Sequence, residues 1–213
     1  MYCRLRTLFC LTLFVSGCAG GSAVVLENAT IPVPLIDQIH LKVGARYPEV
    51  FNHFIHEEQI IGKEKWSIDL GQSNRLLFTQ LFSSMFSEFI VMDDDSDLDI
   101  LALDAVIEPS IDAFEFSVPS QSQTDEFAVW IRYRIKIIDS AGSTVANWPI
   151  AAYGKSRSAT FGGDVALQRA AELAMRDAAA LIILQMNKAT AIKILNSQGT
   201  ASDTQSSTLL PEE

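Results

Sequence analysis

Phe127-Ala128-Val129-Trp130-Ile131-Arg132-Tyr133-Arg134-Ile135-Lys136-Ile137, followed by Asp139-Ser140-Ala141-Gly142-Ser143, is the stretch that decides the fold. Phe127, Val129, Ile131, Tyr133, Ile135 and Ile137 alternate with Trp130, Arg132, Arg134 and Lys136. Successive side chains of a strand point to opposite faces, so this segment is predicted to bury one face and to carry a tryptophan and basic groups on the other. The Asp/Ser/Gly run after it has hairpin-turn composition, and Thr144 to Tyr153 then returns as the antiparallel partner. Upstream, Ala105 to Val118 reads as a long bent strand. Pro109 has no N–H for a ladder, which forces an edge position or a bulge there.

Further outward the periodicity changes. Ile39, Leu41, Val43, Ala45 and Tyr47 alternate with polar residues as a half-buried strand does, and Lys65 to Leu70 fits another short one. Leu76, Leu77, Leu81, Phe82, Met85, Phe86 and Phe89 fall at helical spacing behind Ser73 as the expected cap, with Asn74, Gln80, Ser84 and Ser87 on the wet side. Ile90 to Met92 is expected to begin a strand. A second helix follows Asp164, with Leu167, Ala171, Ala174, Met175, Ala178, Leu181 and Ile182 on one face, its alanines suited to close approach to a sheet. The expected architecture is α+β: a two-layer sandwich in which two helices cover one face of a mainly antiparallel sheet.

The ends of the chain read differently from its body. Arg4 and Arg6 precede the apolar run Leu8 to Val15, which is far shorter than the ~20 residues a membrane-crossing helix needs. With small residues next to Cys18, residues 1–17 have the form of an export signal. Residues 18–37 contain Ala19-Gly20-Gly21-Ser22 and Ile31-Pro32-Val33-Pro34 and read as a flexible tether, spanning roughly 25 Å as a coil. Residues 38–195 are then a single domain, and the polar residues 196–213 a disordered tail. Asn28-Ala29-Thr30 has the form of a glycosylation sequon and is read as chance.

Charge excludes some partners. Without the two arginines before Cys18 the chain holds 14 basic residues against 26 acidic ones, a net charge of −12. Nucleic-acid binding needs a basic footprint, and adsorption to anionic lipid needs the same sign, so neither is expected. Cys3, Cys10 and Cys18 are the only cysteines, and nothing after Cys18 can form a disulfide or a thiolate metal site.

Catalytic, cofactor and metal constellations are not expected. His53-x-x-His56-Glu57-Glu58 has metal-ligating residue types, but the segment lacks helical periodicity and its only further histidine is His40, which favours a solvated loop or strand edge. Asp93, Asp95, Asp97 and Asp99 are spaced like ligands of a calcium loop. Leu98 stands where such a loop needs glycine, and the closing Glu is absent, so an exposed acidic loop is the favoured reading. Gly154-Lys155-Ser156 ends like a phosphate-binding loop, but Pro149 occupies the place of its first glycine. Gly162-Gly163-Asp164 is read as a turn and cap, with an anion at the helix start as the alternative. No serine or cysteine has a positioned base in the pattern nucleophilic catalysis requires. Trp130 and Trp148 fall on adjacent strands, either as a pair covering the sheet or as part of an exposed recognition surface. Trp130, Arg132 and Arg134 are the candidate partner surface, because arginine and aromatic residues are enriched at interface hot spots.

Val15-Ser16-Gly17-Cys18 resembles the bacterial lipobox, in which a thiol takes a diacylglycerol and small neighbours admit the signal peptidase. The resemblance implies lipidation, palmitate included, at Cys18. Ala19, in place of the aspartate that retains such proteins at the inner membrane, implies sorting to the outer membrane, periplasmic side. In layout, residues 39–186 resemble small outer-membrane lipoproteins: the LPS-assembly lipoprotein, auxiliary lipoproteins of lipid-trafficking ABC systems, and YajG-like lipoproteins. That likeness implies a non-enzymatic accessory factor of an envelope assembly or transport complex, with a periplasmic lipid- or glycan-binding lipoprotein as the alternative.

Overall fold

The computed structural model of the chain describes residues 21–26, 32, 34–60, 65–92, 102–157 and 162–188. In chain order these form β1 (Gly21–Val25), β2 (Ile39–Arg46), α1 (Glu49–Asn52), β3 (Ile55–Gln59), β4 (Lys65–Asp69), α2 (Gly71–Met85), β5 (Phe86–Met92), β6 (Ala105–Ser117), α3 (Pro119–Ser122), β7 (Glu126–Asp139), β8 (Thr144–Arg157) and α4 (Gly163–Lys188). Five strands make one sheet in the order β5-β2-β6-β7-β8, and three make a second in the order β1-β4-β3. Cys18, the signal-like segment before it, the acidic run Asp93 to Asp99 and the polar tail lie outside the described residues.

The hairpin β7–β8 follows its turn chemistry. Asp139, buried at the end of β7, accepts at Oδ1 from the N–H groups of Ala141 (3.0 Å) and Ser143 (2.8 Å). Gly142 supplies the left-handed conformation at φ 79° that closes the turn. On the other side β6 runs antiparallel to β7, with a register shift between Ile111 and Ala113. Pro109 lies in β6 beyond the last residues that pair with β2, whose ladder covers only Ala105 to Ile107. On its other side Pro109 stands opposite Ile135 of β7.

Beyond β6 the sheet is not antiparallel. β2 pairs in parallel with both β5 and β6, so the sheet is mixed, and the expected mainly antiparallel two-layer sandwich is corrected to a mixed α/β arrangement of two sheets and four helices. Parallel neighbours require long crossovers, and here β2 reaches β5 only after α1, β3, β4 and α2. The expected tether is corrected as well: Gly21 to Val25 form β1, parallel to β4, and Val24 and Leu26 are buried.

The core lies between the apolar side of the large sheet and what packs on it. Tyr133 meets Phe78 of α2 edge-on with ring centroids 5.2 Å apart, while Gly154 lies so close under α4 that an added Cβ would strike the backbone of Ala170 and Ala174. The small sheet closes one end through Trp66, whose ring sits 5.9 Å from Phe116 and 6.0 Å from Phe127. Helix α2 starts at Gly71, and Ser73 does not cap it. The Ser73 side chain is buried and donates to the carbonyl of Leu26. Asn74, expected on the wet side, is buried, and Leu76 is exposed. Phe86 and Phe89 belong to β5 rather than to the helix. Asp164 lies in the first turn of α4, which begins at Gly163.

Candidate functional site

The face of β6, β7 and β8 turned away from the core is built from cross-strand rows. Glu115, Trp130 and Tyr153 form one row, and Ala113, Arg132 and Ala151 the next. Because β-strand side chains alternate, the same pattern that buries Ile131 and Tyr133 turns these residues outward. Trp130 (43% exposed) and Tyr153 (42%) lie side by side, with ring centroids 5.2 Å apart and planes at 41°. Beside them Ala113 and Ala151 leave room on either side of Arg132, and the surface dips into a groove of about 340 Å³ lined by these residues.

Electrostatically the row of Arg132 differs from its surroundings. Asp112, the residue that the β6 register shift leaves without a cross-strand partner, takes Arg134 in a two-point contact: Nε to Oδ1 at 3.1 Å and a terminal N–H to Oδ2 at 2.5 Å. That contact holds the Arg134 guanidinium above its ordinary pKa. Farther along, Glu108 takes both Lys136 (3.1 Å) and Arg46 (2.9 Å), and at the other end Glu126 takes Lys155. Among the described residues neither Arg132 nor Glu115 has a hydrogen-bond or ion-pair partner, so the neutralised face carries one open cation and one open anion beside its exposed aromatic pair.

Trp130, Arg132 and Arg134 thus share one face, but only Trp130 and Arg132 are uncommitted. Trp148 pairs in register with Ile135 on the core side, where it packs half-buried, so the aromatic neighbour of Trp130 is Tyr153. Sequence reasoning missed Tyr153 and Glu115. The period-2 pattern could have placed them outward, but only the β6–β7–β8 register sets them in one row.

The remaining candidates are scattered. His53 ends α1 and contacts Glu49, with Nδ1 2.9 Å from Oε2, whereas His56 sits in β3 with its ring 5.0 Å from Phe114. No group of three metal-ligating side chains occurs among the described residues. Gly154, Lys155 and Ser156 lie within strand β8, not in a loop. Gly163 and Asp164 border a second cleft of about 550 Å³, together with Ser22, Trp66, Pro119 and Phe127. No helix among the described residues is long and apolar enough to cross a membrane.

No protein-family model matches the chain, and no curated protein matches it. Among solved structures, a candidate lipoprotein of Caulobacter crescentus is 19% identical, over 47% of this chain and 77% of that one, at a TM-score of 0.35. A hypothetical protein of Chlamydia trachomatis is 9% identical over 70% and 97% of the two chains, at 0.41. The lipoprotein GNA1162 of Neisseria meningitidis is 11% identical over 79% and 99%, at 0.32.

Proposed function

We propose that the chain is a non-enzymatic outer-membrane lipoprotein, acylated at Cys18, that serves as an accessory factor of a cell-envelope assembly or transport complex and meets a partner protein through the open face of β6–β8. The observation that carries this reading is the uncommitted Trp130–Tyr153 pair beside the unpaired Arg132 and Glu115, on a face whose other charges are neutralised within the chain. Aromatic and arginine side chains in that setting supply interface hot spots, each worth about 2 kcal/mol or more. The lipid anchor is read from Val15-Ser16-Gly17-Cys18. A glycan-binding role is the second reading, favoured by the groove beside Trp130, where a ring face and two open charges stand together.

Two measurements test this. Metabolic palmitate labelling of the full chain is expected to mark the wild type and not Cys18→Ala, and equal labelling removes the lipoprotein reading. Trp130→Ala with Arg132→Ala is expected to keep the circular-dichroism spectrum while losing at least tenfold in crosslinked partner recovered from membranes. A folded double variant that recovers every partner at wild-type yield removes this face as the interface. Tryptophan-fluorescence quenching by envelope oligosaccharides, abolished in Trp130→Phe, would instead favour the glycan reading.

A further inference from the structure

Strand β1 alters what acylation of Cys18 does to the molecule. It pairs in parallel with β4 from Gly21↔Lys65 to Val25↔Asp69. Leu26 donates its N–H to the Asp69 carbonyl at 3.1 Å, accepts from the Ser73 hydroxyl, and is buried with Val24. The strand is therefore held by a ladder, by α2 and by the core. Only Ala19 and Gly20 stand between Cys18 and Gly21, and consecutive Cα atoms are 3.8 Å apart, so the leash reaches no farther than about 11 Å.

We propose that the end of the molecule where β1 begins rests on a lipid bilayer. The contact surface is the Lys65 end of the small sheet, the β6–β7 connection and the first turn of α4. The proposal rests on the lipoprotein reading of Cys18. Ser22, Trp66, Pro119, Phe127, Gly163 and Asp164 border one cleft, so these elements converge at one end, where Val165 is also exposed. The hairpin turn lies at the opposite end of β7: from Phe127 to Asp139 the strand runs about 40 Å at ~3.3 Å per residue. Charge does not drive the contact. Among the described residues Lys65 is paired with Glu57 and both Lys155 and Arg157 with Glu126, and the chain is acidic overall. The short leash imposes the orientation. Trp130 is three residues along the strand from Phe127, about 10 Å from the bilayer end, so the open aromatic pair faces a partner at or in the same membrane.

The test places a fluorescent non-natural amino acid at position 65 or position 147, both exposed, near the two ends of the molecule. One sample is the full chain matured in a Gram-negative host, its Cys18 acylation read by mass. The other is the chain from Cys18 onward, which keeps every described residue, coupled at Cys18 to a maleimide lipid. Both are reconstituted in phosphatidylethanolamine/phosphatidylglycerol vesicles containing brominated lipid. Quenching is expected to be at least threefold stronger at position 65 than at 147. A twenty-residue Gly/Ser insert after Ala19 is expected to abolish the difference. Equal quenching in the maleimide-coupled sample, or a difference that survives the insert, overturns the orientation by itself. An unacylated Cys18 in the host-matured sample overturns the lipoprotein reading and the natural membrane contact with it, whatever the coupled sample shows.

Discussion

Tyr133 and Asn74 form the most exacting contact at the scale of single residues. Both are fully buried, and the phenol donates to Asn74 Oδ1 at 2.7 Å, joining the interior strand β7 to α2. Tyr133→Phe strands that oxygen, and the expected cost is roughly 1–3 kcal/mol of unfolding free energy in a urea titration. Adding Asn74→Leu is expected to recover part of the loss, since removing both partners relieves the desolvation penalty that removing one creates. The same burial makes the fold sensitive to alkali. Tyr47 is pushed up to about 12 by burial, against the opposing hydrogen bond from Thr79, and burial raises Tyr133 further. An exposed tyrosine in the unfolded chain ionises near 10. Below pH ~10 both states keep these protons and stability is unaffected by them; above it the unfolded state alone releases them, so stability falls as pH rises. The thermal midpoint is expected to hold from pH 8 to 9.5 and to drop by pH 11, less steeply in Tyr47→Phe. An alkaline decline of equal slope in Tyr47→Phe and wild type would remove Tyr47 from this account.

Among elements, α4 and β1 show how much of the fold depends on close or distant approach. Gly154 of β8 lies against the backbone of α4, where Ala170, Ala171, Ala174 and Ala178 are fully buried. Gly154→Ala must push the helix outward and is expected to cost about 1–3 kcal/mol, as overpacking does. Gly163→Ala, whose new Cβ would meet only the Phe127 ring at 3.5 Å, is expected to be close to neutral in the same melt. The helix register here was legible from Leu167 to Ile182, and the alanine stripe announced a tight contact. β1 was not legible. Its Gly-Ser-Ala start carries a linker composition, and its pairing with β4 lies across some forty residues of chain. A chain shortened to residues 38–195 loses the buried Val24 and Leu26, and is expected to be about 3–5 kcal/mol less stable than residues 21–195. Equal urea midpoints for the two would show that β1 adds nothing to the core.

Taken as a whole, the molecule has a core held by packing alone, because no cysteine follows Cys18. Its thermal midpoint is therefore expected to be unmoved by reductant, and a sharp fall would point to a covalent link that this chain cannot form within its body. The features that the sequence determined by itself are local ones: the alternation of Phe127 to Ile137, the Asp139–Ser143 turn, the apolar stripe of α4 and the acidic net charge. The first three depend on side chains a few residues apart, where backbone periodicity and turn chemistry leave one solution, and the charge is a plain sum over the chain. The tertiary structure alone decided that β2 lies parallel to both β5 and β6, that Asn74 is buried while Leu76 is not, and that Tyr153, not Trp148, stands beside Trp130. Those outcomes follow from crossover paths and strand register, which bring together residues far apart in sequence and leave no periodic trace in either segment.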